Sequence, residues 1–190
     1  MKYIIASDIH GSAFWCDKLL KAFEKENADR LLLLGDLLYH GPRNPFPQDY
    51  GCPAVFTALN ARKEKITAIR GNCDSEVDQM VLEFPMLADY ALVDDQGRTL
   101  FLTHGHLYNE QTPPLLKKGD VLLNGHFHAP CHRYLSNGAI YANCGSVALP
   151  KGGTPHSYIV YENGTLTWKD LETERSFDFF LQTLDGAKKK

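Results

Sequence analysis

Five short apolar runs in this chain each end on a side chain able to hold a metal ion. Tyr3-Ile4-Ile5-Ala6-Ser7 leads into Asp8, Leu31-Leu32-Leu33-Leu34-Gly35 into Asp36, and Ile66-Thr67-Ala68-Ile69-Arg70-Gly71 into Asn72. Thr99-Leu100-Phe101-Leu102-Thr103 leads into His104, and Val121-Leu122-Leu123-Asn124-Gly125 into His126. In an α/β protein the carboxyl ends of strands form the edge where ligands bind, so these five groups are expected to converge on one crevice. Gly35, Gly71 and Gly125 allow the backbone to turn sharply just before three of them.

The alternation of segments supports that fold class. Strands are expected over residues 2–7, 30–34 and 66–70, and amphipathic helices over 12–26, 53–63 and 74–84. This order implies right-handed crossovers and a mostly parallel sheet. From Met86 onward the runs are short and strand-like, at 91–93, 99–102, 121–123, 139–142, 158–161 and 166–168. Asn137-Gly138 and Asn163-Gly164 are signals for two-residue hairpins, whose central residues both need positive φ. The second half is thus antiparallel or mixed, and two sheets packed face to face with helices outside accommodate both halves. The Pro-rich stretch 41–53 reads as a long surface loop of the kind that carries function.

Composition narrows the function classes. A chain of 190 residues can bury roughly 70% of the surface it exposes when unfolded, so it needs neither disulfides nor a structural metal to fold. Twenty Lys+Arg against 23 Asp+Glu leave a formal charge of -3, without the positive excess that grips a nucleic-acid duplex. No run approaches the ~20 apolar residues of a membrane span, and the start reads as no signal peptide. The five cysteines, Cys16, Cys52, Cys73, Cys131 and Cys144, contain no C-x-x-C pair and suit free thiols in a cytoplasmic location.

Two pairs sharpen the metal reading. Asp8-Ile9-His10 and His126-Phe127-His128 space their donors two apart, and in an extended segment such residues point to one side. Asp8, His10, Asp36, Asn72, His104, His126 and His128 are oxygen and nitrogen donors with no thiolate among them. They are too many for one tetrahedral ion and about right for two ions sharing a carboxylate. Two ions about 3.5–4 Å apart activate water and neutralise phosphate oxygens in an in-line displacement. Taken singly, Asp8, Ser12 and Asp74 read as helix caps, and His132 and His156 as structural histidines. Capping does not explain why the same kind of position recurs at the end of each run.

Asp8-Ile9-His10, Gly35-Asp36, Gly71-Asn72-Cys73-Asp74, His104-Gly105-His106 and Gly125-His126-Phe127-His128, in that order, resemble the signature of the calcineurin-like metallophosphoesterases. The form Thr103-His104-Gly105-His106, with Gly145-Ser146-Val147 and Pro150-Lys151-Gly152-Gly153, is most similar to the small bacterial phosphodiesterases of that family. The resemblance implies an α/β fold, a four-layer αββα sandwich of two mixed β-sheets. It would form a single domain over residues 1–185, with a basic tail at 186–190.

The same resemblance implies two divalent ions, Mn2+ first, with Fe, Zn, Ni or Co as alternatives. One would take Asp8, His10, Asp36 and His128; the other would take Asp36, Asn72, His104 and His126, with Asp36 bridging. A hydroxide activated by the metals would attack a small phosphodiester. Asn72, Cys73, Asp74 and His40 are the implied catalytic groups, and His40, Gly105 and His106 the implied substrate contacts. Many relatives carry histidine where this chain has Cys73, which implies a preference for esters with good leaving groups, such as aryl diesters. Phe127, in place of a common threonine, is expected to point away from the metals. A phosphomonoesterase on the same site and a non-catalytic protein-binding module on the same fold remain alternatives. Nucleic-acid duplexes and membranes are not expected partners; self-association is compatible with the family.

Overall fold

A computed structural model describes residues 1–176 and the short strand at 182–183. The expected tail at 186–190 lies outside the described residues. Two mixed sheets carry the fold. One has the order β11-β10-β9-β1-β2-β3, from β1 (Lys2–Ala6), β2 (Arg30–Leu33), β3 (Ile66–Ala68), β9 (Ser157–Glu162), β10 (Thr165–Asp170) and β11 (Gln182–Thr183). The other has the order β4-β5-β6-β8-β7, from β4 (Tyr90–Asp95), β5 (Arg98–Thr103), β6 (Val121–Asn124), β7 (Cys131–Tyr134) and β8 (Ile140–Asn143). The parallel trio β1-β2-β3 runs to the edge of the first sheet with antiparallel β9 on its other side, and the trio β5-β6-β8 lies inside the second between antiparallel β4 and β7.

The packing follows from the period-two pattern of the strands. Tyr3, Ile5 and Leu32 face Leu100, Val121 and Ile140 between the sheets, whereas Ile4, Leu31 and Leu33 point the other way, against helices. Helix α1 (Ala13–Lys25) buries Trp15, Leu19 and Phe23 on that outer face, and Ser12 caps it by accepting from the Trp15 N–H at 3.3 Å. Helix α2 (Cys52–Asn60) begins with Pro53 in its first turn.

Several elements differ from expectation, each for a physical reason. The helix expected over 74–84 is reduced to α3 (Glu76–Gln79). There the Gln79 amide donates to the Leu82 and Phe84 carbonyls, at 3.0 and 2.9 Å, and its carbonyl accepts from Met86 N–H at 2.9 Å, so a side chain replaces the helical ladder. The outer face of the second sheet is covered by the irregular segment 104–120, where Tyr108 and Leu116 pack on Phe101, Leu122 and Tyr141.

Strand β7 has no counterpart among the expected strands, because Cys-His-Arg-Tyr at a half-exposed edge has no apolar alternation. Asn163-Gly164 forms the two-residue hairpin with φ of 50° and 77°. Asn137-Gly138 instead sits in a longer loop closed by Leu135 N–H to Ala139 O at 2.8 Å. All five cysteines are unbonded. Among the described residues no helix is long and apolar enough to cross a membrane.

Candidate metal centre

The strands β1, β2, β3, β5 and β6 all end at one edge, and the loops leaving them are stitched together there. Asp8 N–H donates to Gly35 O at 3.1 Å, His10 N–H to Asp36 O at 2.9 Å and Gly125 N–H to His104 O at 2.9 Å. Asp8, His10, Asp36, His126 and His128 have φ of 60°, 48°, 56°, 64° and 59°. For residues with a Cβ this left-handed conformation costs about 1–2 kcal/mol each, and such strain collects at functional sites. It also changes how the paired donors work. Asp8 with His10, and His126 with His128, reach one site through left-handed turns at both members rather than from an extended segment.

Gly35 both turns the chain, with φ +92°, and leaves space, since a Cβ there would stand 2.3 Å from Gly71 N. Gly71 and Gly125 are needed for space: a Cβ on Gly71 would stand 2.1 Å from Asp36 Oδ1, and one on Gly125 would stand 2.1 Å from Ser7 Oγ and 2.6 Å from Asp8 Oδ2.

Around Asp36 the donors form two groups. His128 Nε2 is 3.1 Å and His10 Nε2 3.5 Å from Asp8 Oδ1, and the two imidazole nitrogens are 3.4 Å apart. Asp36 Oδ2 stands 3.6 Å from His10 Nε2 on this side and 3.4 Å from His104 Nε2 on the other. His104 Nε2 is in turn 3.1 Å from Asn72 Oδ1, and the His126 ring centroid lies 5.0 Å from that of His104. One carboxylate oxygen therefore faces both groups.

The protonation pattern suits cations. Nδ1 of His10, His104 and His128 lies 2.8, 2.7 and 2.6 Å from the carbonyl oxygens of Tyr39, Leu34 and Leu149. In the neutral rings Nδ1–H donates to those carbonyls, which leaves each Nε2 lone pair turned inward, the arrangement that holds ligating histidines. Asp8 Oδ1 is buried without a hydrogen-bond partner, as expected of an oxygen kept for an ion. Burial raises the pKa of Asp8, yet His10, His128 and His104 overcome it and hold the carboxyl well below its ordinary range. The residues present therefore fit a pair of divalent ions.

Burial opposes a charge on His104, but hydrogen bonding to Asp36 and the charges of Asp8 and Asp36 prevail, pushing its pKa up to about 9. His126 is pushed down to about 4 by burial and by the charge of His104. In the metal-free protein the raised His104 pKa contributes stability that is complete below about 6.5 and lost as pH rises through about 9. An ion binding here displaces that proton. Mn2+ affinity is expected to rise about tenfold per pH unit between pH 6 and 8, measured by calorimetric titration. An affinity independent of pH contradicts the assignment.

The other expected site residues are placed unequally. The Asp74 carboxylate accepts from the backbone N–H groups of Asp36, Leu37 and Gly71, at 2.7, 2.9 and 2.7 Å. It is a positioning group rather than a helix cap, although it also lines the cavity beside Asp36 and Asn72. Cys73 N–H donates to Asp36 Oδ1 at 2.8 Å, and its Sγ lies within 4.8 Å of ligand atoms of His10 and Asp36, a thiol at the centre that the sequence-based donor set omits. Burial, then the charge of Asp36, pushes that thiol up to about 12.

His40 turns away from the expected substrate position, into a ring cluster with Phe46 and Tyr50 at centroid distances of 4.4 and 5.3 Å. His106 packs beside His104 at 5.4 Å, and Gly105 carries φ +121° with its carbonyl accepting from Asn109. None of these three lines the open cavity of about 1040 Å³ that starts at Asp36, Asn72 and His126. Phe127 lines the cavity wall and is 46% exposed. Arg43 and Lys151 line it too; their only sequence signals are membership of the 41–53 loop and of the Pro150–Gly153 motif.

The calcineurin-like phosphoesterase superfamily domain matches residues 1–165. A curated relative, Phosphodiesterase YfcE of Escherichia coli (strain K12), is 46% identical over 168 residues, covering 88% of this chain and 90% of its own. The solved structure of YfcE, described as a phosphoesterase from E. coli, superposes with a TM-score of 0.93 at 41% identity, over 97% of this chain and 100% of that one. Vps29 of Entamoeba histolytica, complexed with zinc, shares the fold at 17% identity with a TM-score of 0.58, over 93% of this chain and 96% of its own. The match spans every strand end that carries a donor, and the chain belongs to the calcineurin-like phosphoesterase superfamily.

Proposed function

We propose that this chain is a metal-dependent phosphodiesterase acting on small diesters, with two divalent ions held by Asp8, His10, Asp36 and His128 on one side and by Asp36, Asn72, His104 and His126 on the other. The observation that carries the reading is the Asp36 Oδ2 atom, 3.6 Å from His10 Nε2 and 3.4 Å from His104 Nε2, shared between two donor groups. The relative 46% identical to this chain is itself a phosphodiesterase. When bound, the ions supply a water of lowered pKa and neutralise charge on the phosphate oxygens. The protein's part is to fix the donors. Asp74 ties the β2 and β3 loops, and the Tyr39, Leu34 and Leu149 carbonyls orient the imidazoles. The family resemblance puts Mn2+ first, and the mixed carboxylate and imidazole donors also suit Fe, Zn, Ni or Co. A cytoplasmic location fits the unbonded cysteines.

A diester must place a second ester group beyond the ions, and the cavity of about 1040 Å³ has room for it. The test is chelation, then restoration with Mn2+, assaying bis(p-nitrophenyl) phosphate beside p-nitrophenyl phosphate. Metal-dependent hydrolysis with at least about a tenfold preference for the diester is expected, a difference of about 1.4 kcal/mol in transition-state binding. Equal or better hydrolysis of the monoester makes the protein a phosphatase, and hydrolysis of neither makes it a binding module.

With its pKa near 12, Cys73 keeps its proton at neutral pH and is a weaker donor than an imidazolium. Esters with good leaving groups are therefore preferred. Cys73→His is expected to raise turnover of alkyl diesters about tenfold more than that of aryl diesters. Equal gains on both count against a leaving-group role at this position.

A further inference from the structure

Beyond the metal centre the cavity wall carries two cations and a ring that hydrolysis itself does not require. Arg43 and Lys151 are both exposed and line the cavity, and among the described residues neither has an ion-pair partner. They come from separate loops braced against the centre. The Arg43 loop is closed by Asn44 N–H to Gly41 O at 3.2 Å and by the Asn44 amide to His40 O at 2.9 Å. It runs over Cys73, close enough that a Cβ on Gly41 would stand 3.0 Å from Cys73 Sγ. Lys151 N–H donates to His128 O at 3.0 Å, and Thr154 N–H and Oγ1–H close the turn on Lys151 O at 3.2 and 2.7 Å. Phe127 lies between His126 and His128, with its ring 5.1 Å from that of His126; it lines the cavity and is nearly half exposed.

The acids on the same walls are already engaged. Asp74 accepts from three backbone N–H groups, and Asp78 Oδ2 accepts from Ser75 N–H and Oγ–H at 2.7 and 3.1 Å. A phosphodiester carries one negative charge, which metal ions at the centre meet. An exposed guanidinium and an exposed ammonium on the surrounding wall suit a further anion, and the exposed Phe127 ring on the same wall suits a planar group. The cavity volume is that of a cofactor-sized ligand rather than of a bare phosphate group.

Resting on the phosphodiesterase reading above, we propose that Arg43, Lys151 and Phe127 form a specificity subsite. It selects diesters whose non-leaving group is planar and carries a second phosphate or carboxylate, as in a phosphorylated nucleoside. Arg43 and Lys151 bind the second anion, and Phe127 stacks on the planar group.

Two probes share the same p-nitrophenyl leaving group and differ only in distal charge: thymidine 5′-(p-nitrophenyl phosphate) and its 3′-phosphorylated form. The Mn2+-loaded wild type is expected to favour the 3′-phosphorylated probe at least about tenfold in kcat/KM. In the Arg43→Ala/Lys151→Ala double variant the ratio should fall to about one, and Phe127→Leu should lower both nucleotide probes about tenfold relative to methyl p-nitrophenyl phosphate. A wild-type ratio near one, or a ratio retained in the double variant, overturns the subsite. Equal losses on both probes also overturn it, since the cations would then be holding the reacting phosphate. Calorimetric binding of thymidine 3′,5′-bisphosphate against thymidine 5′-monophosphate reads the subsite without turnover. Tighter binding of the bisphosphate that is lost in the double variant supports it. If that difference appears while no diester is hydrolysed, the phosphodiesterase reading fails and the subsite stands.

Discussion

Replacing Asp36 with alanine is expected to lower kcat/KM for a phosphodiester by roughly 10³-fold or more, and to reduce bound Mn2+ from two ions per chain to fewer than one. The size of the effect follows from one atom serving both donor groups. Asp36 Oδ2 faces His10 on one side and His104 on the other, so its removal opens both at once. Oδ1 accepts from Cys73 N–H at 2.8 Å, so the same substitution also frees the loop that carries Asn72. Metal analysis of the purified variant, with kinetics on bis(p-nitrophenyl) phosphate, checks both parts. A variant that keeps two ions and near-normal turnover contradicts the bridging role.

Asp74→Ala is expected to destabilise the fold by roughly 3–5 kcal/mol, because three buried backbone donors, those of Asp36, Leu37 and Gly71, lose their acceptor together. That is a large part of the ~5–15 kcal/mol a domain has, and corresponds to a fall in Tm of roughly 10 °C or more. Burial, helped by the Asp36 charge, raises the Asp74 carboxyl to about 6, so it is ionised at neutral pH and accepts all three bonds. Thermal unfolding of the metal-free protein isolates this effect from metal binding. A Tm within a degree or two of wild type contradicts the tying role.

The strand-end donors were legible because a metal ligand must break an apolar run, and residue type alone shows such a break. What the sequence could not show is the backbone that aims them. Nothing in Asp8-Ile9-His10 marks two left-handed residues, since φ above zero is rare for any side chain with a Cβ and is imposed by the surrounding loops. The same backbone decides where Phe127 sits: with left-handed residues on either side, it lines the open cavity, which its sequence position alone does not show.

Asp74 precedes a serine and a short helix, so it has the sequence of a cap, yet two N–H groups from the β2 loop and one from its own loop occupy its carboxylate. His40 follows a metal-binding segment closely enough to suggest substrate contact, but Phe46 and Tyr50 in the next turn give its ring an apolar partner instead. Arg43 and Lys151 carry no periodicity, and only the cavity they line sets them apart from other surface cations.

On the proposed mechanism, the Asp36 carboxylate holds two ions side by side. Electron paramagnetic resonance of the fully Mn2+-loaded wild type tests it most directly. Two ions per chain with the spectrum of an exchange-coupled pair are expected, with that coupling lost in Asp36→Ala. A spectrum of isolated Mn2+ ions in the loaded wild type, or saturation at one ion per chain, contradicts it.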